Sequence, residues 1–388
     1  MKKIIIQSIN KLSHCHLQSE IFIDGSLEIV NIEVNQEFGD FLVIDRIDSL
    51  VWGLLHFAVS NGYDIESDLP ITEDLWYNLE YNFIDTLATN PGNFRISICA
   101  PLVSAMPHKS NIVGTGISCG VDSLYTIASH EERVPIPYRI THLCFFDAGS
   151  HDTGKESDFS NELYMGRLAL CRRFAEEYKY GFIQIKNDLY KLIDKYAGYS
   201  HIENHTFMAL SCIYAIQQAF SKYYYSAGIS YHNFSCTSKH PKGLLDSAYY
   251  DLLTLHIATI PHLKFISAGG AIDRISKTKI VASYKPAMKY LNVCVNSVEN
   301  DSSCFKCIRT MLTLDALGCL ERFRKVFNVD YYKAHRKKYI EYMYIEGRFY
   351  KDASMRTIFP LFESELTLYL KLSAIVNKLI STVKRRIL

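Results

Sequence analysis

At 388 residues the chain is long enough for more than one domain and a large core. Apolar residues at 48% and charged residues at 21% are the balance of a globular protein, which excludes a disordered or collagen-like chain. A net charge of +1 gives no overall pull toward nucleic acid, and no apolar run is long enough to cross a bilayer.

The start, Met1-Lys2-Lys3-Ile4-Ile5-Ile6, lacks the long apolar stretch and small-residue cleavage site of a signal peptide and reads as a first strand. The eleven cysteines are then expected to be thiols in a reducing cytoplasm, most of them packed in the core. Lys3–Ser8, Glu20–Asp24, Leu27–Val34 and Phe41–Ile44 have β-type composition, with Asp24-Gly25 as a hairpin turn. From Asp45 to Asn61 the period becomes helical, and Ile47, Leu50, Val51, Leu54, Leu55 and Ala58 share one face before a stop at Gly62. Leu75–Leu87 reads as a second helix and Phe94–Ala100 as a strand. Asp45 and Asp48 read as helix-start acids rather than a catalytic pair. Residues 1–108 are thus expected to form an N-terminal α+β domain that shapes a substrate entrance or a homodimer contact.

From Asn111 the pattern alternates strand and helix, the signature of a parallel sheet covered by helices. Five strands are predicted, at Asn111–Gly116, Arg139–Asp147, Gly181–Ile185, Tyr224–Ile229 and Leu263–Ala268, with helices at Ser157–Tyr180 and Asn204–Tyr223 between them. The stretch Ser118-Cys119-Gly120-Val121-Asp122-Ser123 lies between the first strand and an apolar helix. Its small residues leave backbone N–H groups open to an anion, and a helix start adds unpaired donors and a positive dipole end. Ser118 and Ser123 can add hydroxyl donors, and Asp122 can cap the helix or hold Mg²⁺. Ligands of open α/β sheets lie beyond the carboxyl ends of the strands, which places Asp147 and Gly269-Gly270 on the same predicted rim. Asp147 there could accept from a ribose hydroxyl or an adenine amine, and the two glycines allow close approach of a ligand.

This stretch resembles the Ser-Gly-Gly-x-Asp-Ser pyrophosphate loop of the PP-loop (N-type) ATP pyrophosphatases, with Cys119 as the departure where the family has glycine. The resemblance implies a Rossmann-like PP-loop domain over 109–290, with ATP held by Ser118, Gly120, Val121, Asp122 and Ser123. It further implies Mg²⁺ on Asp122 and transfer of AMP to a carbonyl oxygen, which then leaves. The segment Asp273–Ile280 resembles the Arg-x-x-Lys stretch after the last strand in such enzymes, and Lys279 matches the lysine that would neutralise departing pyrophosphate. Lys239–Gly243, basic and in a long connection, reads as a lid over phosphates or the acceptor.

Residues 291–388 are predicted to hold a cysteine-rich segment and C-terminal helices. Cys304-Phe305-Lys306-Cys307, with Cys294 upstream, is compatible with zinc, a redox pair or chance. Followed by Arg309-Thr310, it resembles the four-cysteine zinc module of the 7-cyano-7-deazaguanine synthases. Asp301 stands where that module has its other cysteine, so the resemblance implies a structural Zn²⁺ on Cys294, Asp301, Cys304 and Cys307. In the last helix, Leu372, Ile375, Val376, Leu379, Ile380 and Val383 form one stripe, expected to dock on the core rather than on a membrane.

Cys119 sits where a helix start favours thiolate, near the position of an adenylated carbon. On this point the chain resembles the PP-loop sulfurtransferases that make 6-thioguanine. The resemblance implies a nucleobase-like acceptor, catalytic roles for Cys119, Asp122 and Lys279, and a sulfur-donor enzyme (a desulfurase or C–S lyase) as partner. Related branches use ammonia to make amides or nitriles, or thiolate tRNA. Cys144, on the second predicted strand, is a weaker candidate for a second thiol.

Overall fold

The computed structural model of the chain describes residues 2–131, 134–150, 157–239, 243–350 and 352–387. Contacts divide the chain into two compact units, Met1–Ile117 with Ser129–Ala271, and Ser118–Ala128 with Ile272–Leu388.

The first unit is built on one large sheet. β1 (Lys2–Ser13), β2 (His16–Ile23) and β3 (Ser26–Val34) form an antiparallel meander. The turn between β2 and β3 is Asp24-Gly25, at φ 51° and 81°, the left-handed pair whose twist matches a two-residue hairpin. β4 (Tyr63–Ser67) lies parallel to β1. β5 (Ile71–Thr72) leaves the sheet, β6 (Ile98–Cys99) pairs with β4, and β7 (Leu102–Val103) pairs with β5. β8 (Ile112–Gly116), β9 (His142–Asp147), β10 (Gly181–Asn187), β11 (Phe220–Ser226) and β12 (Lys264–Ala268) follow, parallel to one another. The sheet order is β12-β11-β8-β9-β10-β3-β2-β1-β4-β6.

The five predicted parallel strands are therefore present, in an α/β architecture, but the sheet has ten strands rather than five. The difference lies at one edge. β3 pairs antiparallel with β10, Ile185 opposite Val34, so the N-terminal strands extend the sheet instead of forming a separate one. An unpaired β10 would leave a row of backbone donors and acceptors exposed, and β3 covers them. β8 is the point where strand order reverses, since its neighbours are β9 on one side and β11 on the other. Its carboxyl end is thus the crevice position of an open α/β sheet.

Two predicted elements in the N-terminal part differ. Phe41–Ile44 is not a strand; a 3₁₀ turn, Gln36–Phe41, runs into it. The second predicted helix breaks at Phe83 into Glu73–Asn82 and Ile84–Ala88. Further on, the apolar run after Asn204 divides sooner than predicted. Helix His201–Ala215 ends before the aromatic-rich β11, because an apolar run alone does not separate helix from buried strand.

Helix Asp48–Asn61 packs on helix His201–Ala215 in the core, with Trp52 against Phe83, Phe207 and Tyr214. A Cβ at Gly53 would stand 2.2 Å from Leu189 and 3.0 Å from the Ser211 hydroxyl, so this close crossing requires glycine. Asp48 is fully buried and accepts from the Thr72 amide at 2.9 Å, the Thr72 hydroxyl at 2.6 Å and Gln217 at 3.0 Å, an anchor and not a catalyst. On the same helix His56 packs 5.6 Å from the Phe207 ring, and burial lowers its pKa to about 4. A lowered folded pKa means that this stabilisation is full above the unfolded value near 6.5 and is lost as pH falls toward 4. Urea unfolding is expected to show a loss of about 2–3 kcal/mol across that window, and His56→Phe to remove most of that slope.

The second unit is helical. Helices Arg274–Ser283, Phe305–Ala316, Val329–Arg348 and Leu368–Ile387 join Val121–Ser129, whose residues up to Ala128 belong here. The last helix leaves most of the predicted stripe unburied; Ile375 is half-buried, and the side chain of Val383 lies outside the described residues. Leu370 and Ala374 are buried, and Ser373 and Asn377 bond to Glu341 at 2.8 and 3.0 Å, while Leu372, Val376, Leu379 and Ile380 are exposed. No helix among the described residues is long and apolar enough to cross a membrane.

Candidate phosphate loop and metal centre

The loop begins where β8 ends, at the reversal point of the sheet. In the first unit the Ile117 amide donates to Cys144 O at 2.9 Å and fixes the exit of β8. The remainder belongs to the second unit. Leu124 N donates to Gly120 O at 3.0 Å and closes the first turn of helix Val121–Ser129. The amides of Val121, Asp122 and Ser123 find no acceptor among the described residues, which leaves the first-turn donors open. The two serines fold back over the turn. Ser118 N reaches Ser123 Oγ at 3.4 Å, Gly120 N reaches Ser118 Oγ at 3.3 Å, and the two hydroxyls are 3.3 Å apart. These bonds are long, and a hydroxyl rotates away at little cost, so a phosphate oxygen can replace them.

Cys119 has φ 56° and is fully buried. The left-handed region costs a non-glycine residue about 1–2 kcal/mol, which accounts for glycine as the usual choice in such a turn. Its carbonyl accepts from Asn292 N at 2.8 Å, which ties the loop to the chain just before Cys294. The thiol expected to meet a reacting carbon is thus enclosed.

Two cations contact Asp122. Arg274 Nη2 stands 2.8 Å from one carboxylate oxygen and Lys277 Nζ 3.1 Å from the other. Lys277 is buried and lies 5.9 Å over the Tyr125 ring. Burial, with repulsion from Arg274, lowers the pKa of Arg309 to about 10, against the opposing pull of Asp122 and then Asp352. Two cations on one carboxylate at a helix start, with Arg309 close enough to feel both Arg274 and Asp122, favour an anion. The carboxylate expected to hold Mg²⁺ is here the anchor of two cations. Lys279, the predicted pyrophosphate lysine, is exposed; Lys277, two residues earlier, is the lysine that faces inward.

The other predicted rim residues lie in the first unit. Asp147 ends β9, opposite Lys186, and is partly buried. Gly269 has φ 82° just past β12, a turn that suits glycine. At Gly270 the close neighbour is the protein itself, because a Cβ there would fall 2.0 Å from the Tyr231 ring, whose amide also donates to Gly270 O at 2.8 Å. Cys144 is buried, and burial pushes its thiol pKa up, which makes it inert. Residues 240–242 of the predicted lid Lys239–Gly243 lie outside the described residues.

Cys294, Asp301, Cys304 and Cys307 come together, each offering one ligand atom within 4.8 Å of the others. This set could hold a metal ion such as zinc. Tetrahedral zinc–thiolate geometry places sulfurs about 3.8 Å apart, so a small contraction suffices. Cys304 caps helix Phe305–Ala316 by accepting from Cys307 N at 3.4 Å, and the Cys307 thiol beside it holds its pKa down to about 5. Partial burial opposes the charge on Asp301, yet the Cys304 and Ser303 amides, each 2.8 Å away, keep its pKa down to about 2. Cys304 and Asp301 are therefore held in their metal-binding form, whereas the hydrogen bond to Cys304, with burial, pushes the Cys307 thiol up, so this ligand must lose its proton when a metal binds. Asn300 Oδ1 accepts from the amides of Val293 and Cys294, at 2.9 and 3.2 Å, and fixes the chain around the ligands.

Sequence reasoning preferred Lys279 to Lys277 in the stretch Asp273–Ile280, and it missed Asn300 and the position of Arg309 near Arg274 and Asp122. It also missed a polar cluster in the first unit, where His205 Nδ1 meets the Tyr225 hydroxyl at 2.9 Å and Nε2 meets Asp246 at 3.0 Å. The spacing His201-x-x-x-His205, one helix turn, was its only sequence signal. In comparisons with known proteins, no family model, no curated protein and no solved structure matches the chain.

Proposed function

We propose that this chain is an ATP-dependent, adenylate-forming enzyme of the PP-loop kind that replaces a carbonyl oxygen of a small, nucleobase-like molecule with sulfur. One observation carries the reading: a helix start with open amides at residues 121–123 has its Asp122 held by buried Lys277 and by Arg274, with Arg309 in electrostatic reach. This is the donor set of a polyphosphate, and it follows the strand at which the sheet reverses.

The acceptor oxygen attacks the α-phosphorus of ATP, and the bond to pyrophosphate breaks. The loop amides with Ser118 and Ser123 hold the phosphates, and Lys277 with Arg274 neutralises the departing charge. Mg²⁺, when bound, would screen the phosphates and rigidify them. Sulfide then adds to the activated carbon, and AMP leaves with the original oxygen. Burial of Cys119 favours sulfide, delivered by a sulfur-donor enzyme, over a persulfide on this thiol. Zn²⁺ at the Cys₃Asp centre is structural in this reading: it holds the segment that carries Arg309 and, through Asn292, the Cys119 carbonyl.

The test is a mass-spectrometric screen of nucleobases with ATP, Mg²⁺ and sulfide, scored for oxygen-to-sulfur exchange alongside AMP. Exchange without AMP, or no exchange with any nucleobase, would overturn the reading. Cys119→Ser is expected to keep sulfide-driven turnover within about threefold. Complete loss in a folded variant would move the sulfur onto Cys119.

A further inference from the structure

The last helix, Leu368–Ile387, turns an apolar stripe to solvent. Leu368, Tyr369, Leu372, Val376, Leu379 and Ile380 are all at least 50% exposed, while the opposite face packs through Leu370 and Ala374. A stripe of this size left in water is an interaction surface. The charge of the helix decides what covers it. From Leu368 to the end of the chain the sequence carries Lys371, Lys378, Lys384, Arg385 and Arg386 and no acid. Two copies laid stripe to stripe would bring ten cations together with no counter-charge on either helix. Nucleic acid would take the charge but not the apolar stripe. An anionic bilayer surface takes both.

A second feature of the same unit fits that surface. A cavity of about 510 Å³ is lined by Arg348, Arg356 and Lys371 with Tyr344 and Phe359, and no acidic side chain lines it. None of these three cations forms an ion pair among the described residues. Lys371 belongs both to the cavity wall and to the amphipathic helix, so the two features adjoin. Gly347 is needed to build the cavity wall, since a Cβ there would lie 2.6 Å from the Phe359 ring. Exposed Tyr350, 4.8 Å from Lys378, adds an aromatic of the type found at membrane interfaces.

We propose that this face docks on an anionic phospholipid surface, with the Leu372–Ile380 stripe lying in the plane of the interface and Arg348, Arg356 and Lys371 receiving a lipid phosphate. The helix lies on the membrane and does not cross it, in keeping with its five cations.

The experiment is co-sedimentation of the full chain with phosphatidylcholine vesicles, with and without about one third phosphatidylserine. Binding at least tenfold stronger to the anionic vesicles, weakened by salt, is expected. Leu372→Asp with Leu379→Asp should abolish it without changing the thermal melt, because both side chains are already in water. Arg348→Glu with Arg356→Glu should weaken it severalfold. Equal binding to neutral vesicles, or no binding to either, would overturn the proposal. So would a dimer in light scattering that Leu379→Asp dissociates while vesicles bind nothing.

Discussion

Lys277→Ala is expected to weaken ATP binding by about 100-fold in calorimetric titration, while Lys279→Ala changes it less than about twofold. The two lysines lie on one helix, two residues apart, and differ in environment. Lys277 is buried with its ammonium 3.1 Å from Asp122, whereas Lys279 is in solvent. A buried charge-assisted contact to phosphate is worth about 2–3 kcal/mol, and a solvated lysine contributes a few tenths. The alanine variant also leaves one Asp122 oxygen without its cation, which adds repulsion against an incoming polyanion. Lys277→Arg keeps the charge but not the volume, and intermediate affinity is expected. Equal effects at positions 277 and 279 would mean that buried Lys277 beside Asp122 does not mark the anion site.

Removing the metal centre should have the second large effect, on stability as well as binding. Cys307→Ser is expected to lower the melting temperature by more than about 10 °C and to release zinc from the purified chain. The apparent contribution of a structural zinc is about 10–16 kcal/mol in peptides that are otherwise unfolded, and a smaller effect is expected where hydrogen bonds already order the ligand loop. Asn300 holds the Val293 and Cys294 amides and donates to Leu291 O and Val326 O at 2.8 and 2.9 Å, a frame independent of any metal. The expected pattern is therefore a locally loosened second unit, with Arg309 and the Cys119–Asn292 tie released and ATP affinity reduced about tenfold. Metal analysis of the wild-type chain that finds no zinc would remove this part of the account.

Much of the fold was legible in period and turn chemistry. Asp24-Gly25 announced its hairpin, and Ile47, Leu50, Val51, Leu54, Leu55 and Ala58, which share one face by period, are all buried. What was not legible was pairing across long separations. Nothing local in Val30, Ile32 or Val34 says that β3 will meet β10, because strand alternation fixes a buried face and not a partner. The same limit applied to the site. The strand–turn–helix corner at Ser118–Ser123 was readable from its small residues and the apolar run that follows, but which of Lys277 and Lys279 is buried depends on which side of the helix packs, a tertiary fact. The stripe on the last helix was read correctly as a stripe, but its expected packing on the core does not occur at Leu372, Val376, Leu379 and Ile380, which are exposed. Periodicity identifies an apolar face and is silent on whether protein, lipid or water meets it.

The most direct test of adenylation followed by displacement is the fate of a labelled oxygen. The chain is incubated with ATP, Mg²⁺, sulfide and a nucleobase whose carbonyl carries oxygen-18, and the AMP formed is weighed by mass spectrometry. Heavy AMP is expected in amounts equal to the thiolated base. Unlabelled AMP, with the label left on the base or released to water, would contradict it.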